Sequence, residues 1–555
     1  MTDHRGRTAG NLLPALTVPG LVAWAADRFG DGEALVDAAE RGGAAVRWSW
    51  RDLHSEVRRA AAALIAADVA PGDRVAIWAP NIHEWVAAAL GALTAGATLV
   101  PCNTRYRGHE VGHLLEVSRA TCLLTVTGFL GADNVALLRD ARGEADGDRP
   151  VATLPHLRRI VVLRGEAPAG TTAWSDLLAE GAEVDTAEVE RRAAAVAPDD
   201  VSDLIFTSGT TGSPKGVIAT HGQTVRVFTE WADLVGLRAD DRYLVVNPFF
   251  HTFGYKAGIV ACLLTGATIV PHAVFDPDAV LDRIAAERIS VLPGPPTLYA
   301  SLLDHPRLAE VDRSSLRLAV TGAATIPVSL IERVRDELGF DTVLTAYGLT
   351  EATGVVTVCR RGDDAETVAT TSGTAIPGVE VRVVDEEGRD VPTGERGEVV
   401  VRGYNVTRGY FEDPERTAET IDADGWLHTG DVGILDERGY LDIVDRLKDL
   451  FIVGGFNVSP AEVEDALLAH EDVGQVAVVG IPDERMGEVG CAFVVPAPGR
   501  DPDPERLVAW SRDRLANFKV PRRVEVVAAL PVNASGKVLK HELRDRAVTI
   551  QEADA

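Results

Sequence analysis

From Arg74 onward, short apolar runs alternate with helical stretches, and this alternation confines the chain to one layered class of fold. RVAIWAP, ATLVPCN and TCLLTV have the length and aliphatic content of buried strands. Between them, HEWVAAALGALTAG and RGHEVGHLLEVSRA read as helices. The rhythm continues through RYLVVNP, ATIVPH, ISVLPG, LRLAVTG and DTVLTAYG. Strand runs separated by helical ones predict α/β layering with largely parallel sheets. At about residue 372 the texture changes to short strands and glycine-rich turns, VEVRVVDEEGRDVPTGERGEVVVRG, which predicts a small β subdomain over about 372–445. After LDIVDRLKD, helix-like SPAEVEDALLAH, strand-like VGQVAVVG and CAFVVPAP, a helix near Leu507 and VEVVAAL predict a compact α+β lid. A chain of 555 residues exceeds one hydrophobic core. The expected division is a large N-terminal domain over 1–445 and a small mobile C-terminal domain over 446–555.

A net charge of −28 disfavours nucleic acid and anionic membrane as partners, so a polyanionic ligand must find a local positive site. The five cysteines (Cys102, Cys122, Cys262, Cys359 and Cys491) form no CxxC pair, which suits a reducing cytoplasm without a disulfide framework. Near the N-terminus Arg5 and Arg7 precede an apolar run, but Pro14 and Pro19 break it. Thr17 is expected to cap a helix there, with Pro19 in its first turn. The most apolar later stretch, VAAALGALTAGATLV, is too short and too rich in Ala, Gly and Thr to span a membrane.

The first chemical signal is TSGTTGSPKG, from Thr207 to Gly216, directly after the apolar DLIF. Glycines let backbone N–H groups crowd an anion, while the hydroxyls and Lys215 add donors and charge. It is not a Walker A loop, because Pro214 precedes Lys215 and Gly216 follows it. Lysine is scarce here: only Lys215, Lys256, Lys448, Lys519, Lys537 and Lys540 stand among 55 basic residues. Those that persist mark places where guanidinium does not replace a compact ammonium.

Five further clusters follow. TGAAT (from Thr321) and AYGLTE (to Glu351) each come after a predicted strand, where open α/β sheets bind ligands. Tyr347 offers a stacking face, Thr350 a hydroxyl and Glu351 a carboxylate suited to Mg²⁺ beside phosphates. HTGD and DRLKD supply Asp431 and Arg446, and NASGKVLK puts Lys537 on a glycine-preceded turn.

Taken together and in this order, these motifs resemble the adenylate-forming superfamily of acyl-CoA synthetases, firefly-type luciferases and peptide-synthetase adenylation domains. NTRY, NPFFHTFGYKAG, VLPGPPTLYASLLDHP and LANFKVPRRVE narrow the likeness to actinobacterial acyl-CoA synthetases of steroid catabolism, of the type that charges a two-ring propanoate. The resemblance implies that a carboxylate attacks the α-phosphorus of ATP, and that the thiol of coenzyme A then displaces AMP. It assigns Thr207, Ser208, Gly209, Thr210, Thr211, Gly212 and Lys215 to the β- and γ-phosphates. Gly322, Ala323, Ala324, Tyr347 and Gly348 would flank the adenine, and Asp431 and Arg446 would reach the ribose. Thr350 would touch the α-phosphate, Glu351 would hold Mg²⁺, and Lys537 would bridge carboxylate and α-phosphate. His251 would stand near the acyl carboxylate, Phe250 and Lys256 in the acyl pocket, Gly455 in the coenzyme A tunnel and Lys448 at the hinge. For Lys256 the expectation is that it reads a polar or cyclic acid, since an unpaired ammonium is costly to bury. The likeness leaves room for a homodimer. It also leaves open a carrier-protein thiol or an amine as acceptor, or nitrite as the activated oxyacid.

HEVGH, from His109 to His113, matches the zinc-protease pattern. Gly112 weakens that helix and no third-ligand motif follows, so a surface helix is expected.

Overall fold

The computed structural model describes residues 17–38, 45–143, 151–207, 214–322, 326–446, 449–453, 456–483, 486–512, 514–515, 517–533 and 537–554. The chain enters on the helix Val18–Phe29, capped by Thr17, whose hydroxyl accepts from the Gly20 N–H, with proline in the first turn. The largest sheet has the strand order 215–220, 201–207, 98–101, 74–78, 120–129, 159–164, 172–173, with 132–133 beside 120–129. Its inner strands pair in parallel, and only the hairpins at 201–220 and 120–133 run antiparallel. The helix His83–Thr94 is buried almost all round, which its alanine- and leucine-rich sequence allows.

A second layer places Arg242–Val245, Thr268–Pro271, Glu33–Asp37 and Val46–Ser49 side by side. Val291 links it, by single parallel bridges to Tyr243 and Leu318, to the parallel strands Leu318–Thr321 and Thr342–Tyr347. ISVLPG is therefore one bridging residue rather than a strand. Pro293 and Pro295 have no N–H to continue a ladder. The region of short strands forms an antiparallel meander of Val379–Val384, Arg396–Gly403, Leu427–Leu435 and Leu441–Arg446.

The C-terminal lobe is built on a long hairpin, Val473–Asp483 with Gly487–Pro496, flanked by Phe451–Val453, Phe456–Val458 and the parallel Arg523–Val526. It has its own apolar clusters, around Val463, Leu467 and Val494 on one face and Val479, Phe493 and Leu543 on the other. It meets the preceding meander through Ser459 Oγ donating to Asp445 Oδ2 at 2.7 Å and through Arg396 and Glu462 at 3.6 Å. Among the described residues no helix is long and apolar enough to cross a membrane.

Three imidazoles in the large lobe carry a pH consequence. Burial pushes His221, His251 and His272 down to about 4. The unfolded chain therefore takes up protons below about 6.5 that the folded chain refuses, so stability is complete above that value and is lost as pH falls toward 4. Each unit of depression is worth about 1.4 kcal/mol at full effect. Asp465, raised to about 6 by burial and by Glu464, Asp442 and Glu462, works the other way, as does Asp442, which burial also raises, while His54, pushed down by burial, adds to the three. The thermal midpoint should fall steadily between about pH 6.5 and 4.5. A flat profile over that window would mean that the imidazoles protonate in the folded state.

Candidate active site

Three strands deliver the site at their carboxyl ends: Val201–Thr207, Leu318–Thr321 and Thr342–Tyr347. This is where an open α/β sheet offers space and backbone groups to a ligand. Thr207 pairs with Lys215 across the hairpin, so the two close the neck of the glycine loop. Ser208, Gly209, Thr210, Thr211 and Gly212 lie outside the described residues, as do Ala323, Ala324, Lys448 and Gly455. Gly322 follows its strand so closely beside the next that a Cβ there would lie 2.6 Å from the Ala346 carbonyl oxygen. At Gly348 a Cβ would lie 2.1 Å from the Gly354 oxygen, so the turn after Tyr347 admits only glycine.

The turn that follows carries Thr350 and Glu351 on one short 3₁₀ segment, Thr350–Ala352. Both are half-buried. The Glu351 backbone oxygen accepts from the Thr407 N–H at 2.7 Å, and its Oε1 accepts from the Tyr410 hydroxyl at 3.1 Å. Lys215 Nζ stands over the same tyrosine ring, 5.0 Å from its centroid. Tyr410 thus joins the loop lysine to the carboxylate. Burial and the Glu351 charge push its phenol up, so it stays a neutral donor. The backbone brings it there: the Phe411 N–H donates to the Gly216 oxygen and the Ile218 N–H to the Gly409 oxygen. Sequence reading missed Tyr410; its signal is the RGYF turn ahead of a proline-started helix.

On the opposite side, Tyr347 donates its hydroxyl to Asp431 Oδ2 at 2.6 Å, uniting two residues expected to hold adenine and ribose. Asp431 is buried and pairs by backbone register with Arg446. Glu351 fits a hard divalent cation: it is an oxygen ligand, Mg²⁺ typically takes one or two carboxylates beside phosphates, and Tyr410 is its one side-chain partner among the described residues.

His251 opens the buried turn that leads to Lys256. Its Nδ1 accepts from the Phe253 N–H at 3.2 Å, so the neutral ring carries its proton on Nε2. The preceding NPFF segment is clamped by Asn81, which donates to the Val245 and Asn247 oxygens at 2.9 Å and accepts from the Phe249 N–H at 2.8 Å. Asn81 also escaped the sequence reading. Phe250 is buried beside His251. Lys256 departs from expectation: its ammonium lies 2.9 Å from Asp203 Oδ1 in the core. The premise for an acyl-reading role, an ammonium lacking a carboxylate of its own, does not hold.

Lys537 is exposed on the C-terminal lobe, in a turn closed by Asn533, whose N–H donates to the Lys537 oxygen and whose Oδ1 accepts from the Lys537 N–H. HEVGH opens the helix Gly108–Ser118, and Glu110 is spent on the N-terminal turn, accepting from the Arg107 N–H at 2.6 Å. Asp37, His83 and Glu84 converge elsewhere, but the Arg164 guanidinium already fills the space between the carboxylates, at 3.1 Å and 2.6 Å.

Residues 22–411 match the family described as AMP-binding enzyme, and residues 462–537 match its C-terminal domain. Over 530 residues the chain is 53% identical to a 3-(7a-methyl-1,5-dioxo-octahydro-1H-inden-4-yl)propanoyl:CoA ligase of Rhodococcus jostii, covering 95% of this chain and 98% of that one. A protein of the same name from Mycobacterium tuberculosis is 53% identical over 90% of this chain and 94% of its own. Among solved structures, the anthranilate CoA ligase AuaEII in complex with anthranoyl-AMP superimposes with a TM-score of 0.84 at 28% identity, over 98% of this chain and 99% of that one.

Proposed function

This chain belongs to the family of AMP-binding enzymes, and we propose that the acid it activates is a bicyclic, oxygenated propanoate derived from a sterol nucleus. It is an ATP-dependent acid–CoA ligase. A carboxylate oxygen bonds to the α-phosphorus of ATP and the bond to the β-phosphate oxygen breaks, releasing pyrophosphate. The coenzyme A sulfur then bonds to the acyl carbon, the acyl–oxygen bond breaks with its electron pair going to AMP, and the thiol proton leaves to solvent.

Thr207, Lys215 and the glycine loop between them hold the β- and γ-phosphates. Thr350 meets the α-phosphate, while Tyr347 with Gly322 flanks the adenine and Asp431 with Arg446 holds the ribose. Charge developing on the α-phosphate calls for fixed donors rather than covalent catalysis. Glu351 would hold Mg²⁺, which supplies charge neutralisation between the phosphates when bound. Residues 446–555 act as a lid that turns about Lys448, bringing Lys537 in for adenylation and the face around Gly455 in for thioester formation. Such a turn would break the contacts that Ser459 and Ala461 make with Asp445 and that Glu462 makes with Arg396. Five unpaired, buried cysteines suit a cytoplasmic setting.

One observation carries the substrate reading: 53% identity sustained over 98% of a ligase named for that acid. The test is pyrophosphate release across a panel of acids, with and without coenzyme A. The bicyclic propanoate should exceed a straight-chain alkanoate of similar size by about 10²-fold in kcat/KM, the cost of leaving one buried polar group without its partner. Equal rates would remove the bicyclic acid as the preferred substrate. AMP formation that needs a carrier protein or an amine instead of coenzyme A would displace the acceptor.

A further inference from the structure

On the strand that precedes the glycine loop, Asp203 enters an ion pair that the chemistry of neither half-reaction requires. Lys256 Nζ is 2.9 Å from Asp203 Oδ1, and both side chains are 1% exposed. Ser202 Oγ donates to Asp203 Oδ2 at 2.6 Å and lies 3.2 Å from the Ala219 oxygen and 3.4 Å from Thr224 Oγ1. As a source of stability such a pair is poor, because desolvation cancels most of the attraction and apolar residues of the same shape commonly serve as well. What it supplies is placement, since two buried charges neutralise each other only where strand and turn bring them together.

Those elements are the two that must meet for adenylation. Asp203 stands four residues before Thr207, on the strand that runs into the glycine loop. Lys256 stands five residues after His251, in the π-helical turn Tyr255–Val260, every residue of which is buried. Turns of this kind are rare and frequent at functional sites. The turn packs too closely for a side chain at either glycine: a Cβ on Gly254 would lie 2.1 Å from the Pro248 oxygen, and one on Gly258 2.8 Å from Val245 Cγ1.

We propose that the Lys256–Asp203 pair is a positioning device that fixes the glycine-loop strand against the His251 segment, so that ATP phosphates and acid carboxylate meet in register. The proposal rests on the assignment of the glycine loop to the β- and γ-phosphates. Its effect belongs to the first half-reaction, because thioester formation begins after pyrophosphate has left.

Three variants decide it: Lys256→Met, the double Lys256→Met/Asp203→Leu, and Lys215→Ala. Each is measured for thermal midpoint, ATP affinity, pyrophosphate release, and thioester formation from supplied acyl-adenylate. Lys256→Met alone strands a buried carboxylate and should lower the midpoint by several degrees or prevent folding. The double variant, neutral and apolar, should regain the wild-type midpoint. Its pyrophosphate release should nevertheless stay about 10–100-fold low, while thioester formation changes by less than about twofold. Recovery of pyrophosphate release together with the midpoint would reduce the pair to a structural role and overturn the proposal. Equal loss in both half-reactions would overturn it as well. Lys215→Ala reports on the loop separately: weaker ATP binding at an unchanged midpoint upholds the phosphate assignment, and unchanged ATP binding removes it whatever the pair does.

Discussion

Lys537→Ala is expected to abolish pyrophosphate release while leaving thioester formation from supplied acyl-adenylate close to wild type. The physical reason is charge. The adenylation transition state spreads negative charge over the α-phosphate and the incoming carboxylate oxygen, and a positioned ammonium stabilises it more than either ground state. Losing a group of that kind costs about 10²–10³ in rate or more. The second half-reaction breaks an acyl–oxygen bond with no pyrophosphate present, and in the proposed cycle the lid has by then carried Lys537 away. Its position supports this: exposed on the C-terminal lobe, it is placed to be delivered rather than buried. Single-turnover measurement of each half-reaction separates the outcomes. Comparable losses in both would contradict a rotating lid, and an intact adenylation step would remove Lys537 from the chemistry.

The next largest effect is expected at Glu351. Glu351→Gln keeps the shape and the Tyr410 contact but removes the negative charge that a divalent cation requires. Pyrophosphate release should fall about 10²-fold, and calorimetric ATP binding should need a higher Mg²⁺ concentration to reach half-saturation. Tyr410→Phe is the graded companion. It spares the ring under Lys215 and removes one hydrogen bond to a charged acceptor, so a loss of about 10-fold is expected with the same shift in magnesium dependence. If ATP binding by Glu351→Gln shows wild-type magnesium dependence, the metal is held elsewhere.

Local pieces of the fold were readable because local forces make them. Thr17 and Pro19 start the first helix as their chemistry requires, and RVAIWAP and HEWVAAALGALTAG became Arg74–Trp78 and His83–Thr94 through their length and composition, one a short aliphatic run and the other long and rich in Ala and Leu. ISVLPG does lie between two parallel strands, with the Leu292 and Gly294 N–H groups donating to the Leu318 and Val320 oxygens, but Pro293 has no donor to extend the ladder on the other side, so it stays at single bridges. The candidate site motifs could be picked out for a similar reason: glycine, hydroxyl and lysine in one loop suit an anion wherever the loop ends up.

By itself, then, the sequence determined the layered α/β class, the strand ends that carry the chemistry and the residue types present there. Only the tertiary structure decided which of them touch. Tyr347 and Asp431 are 84 residues apart, and Asn81 and Val245 are 164 apart, yet each pair is hydrogen-bonded. A lysine in the apolar run FGYKAG announces that it needs a counter-charge, because an unpaired ammonium cannot be buried. Nothing in the run says which of 83 acidic residues will provide it. That choice fell to Asp203, through the packing of a strand against a π-turn, because contact depends on the path of the backbone and not on the chemistry of either residue.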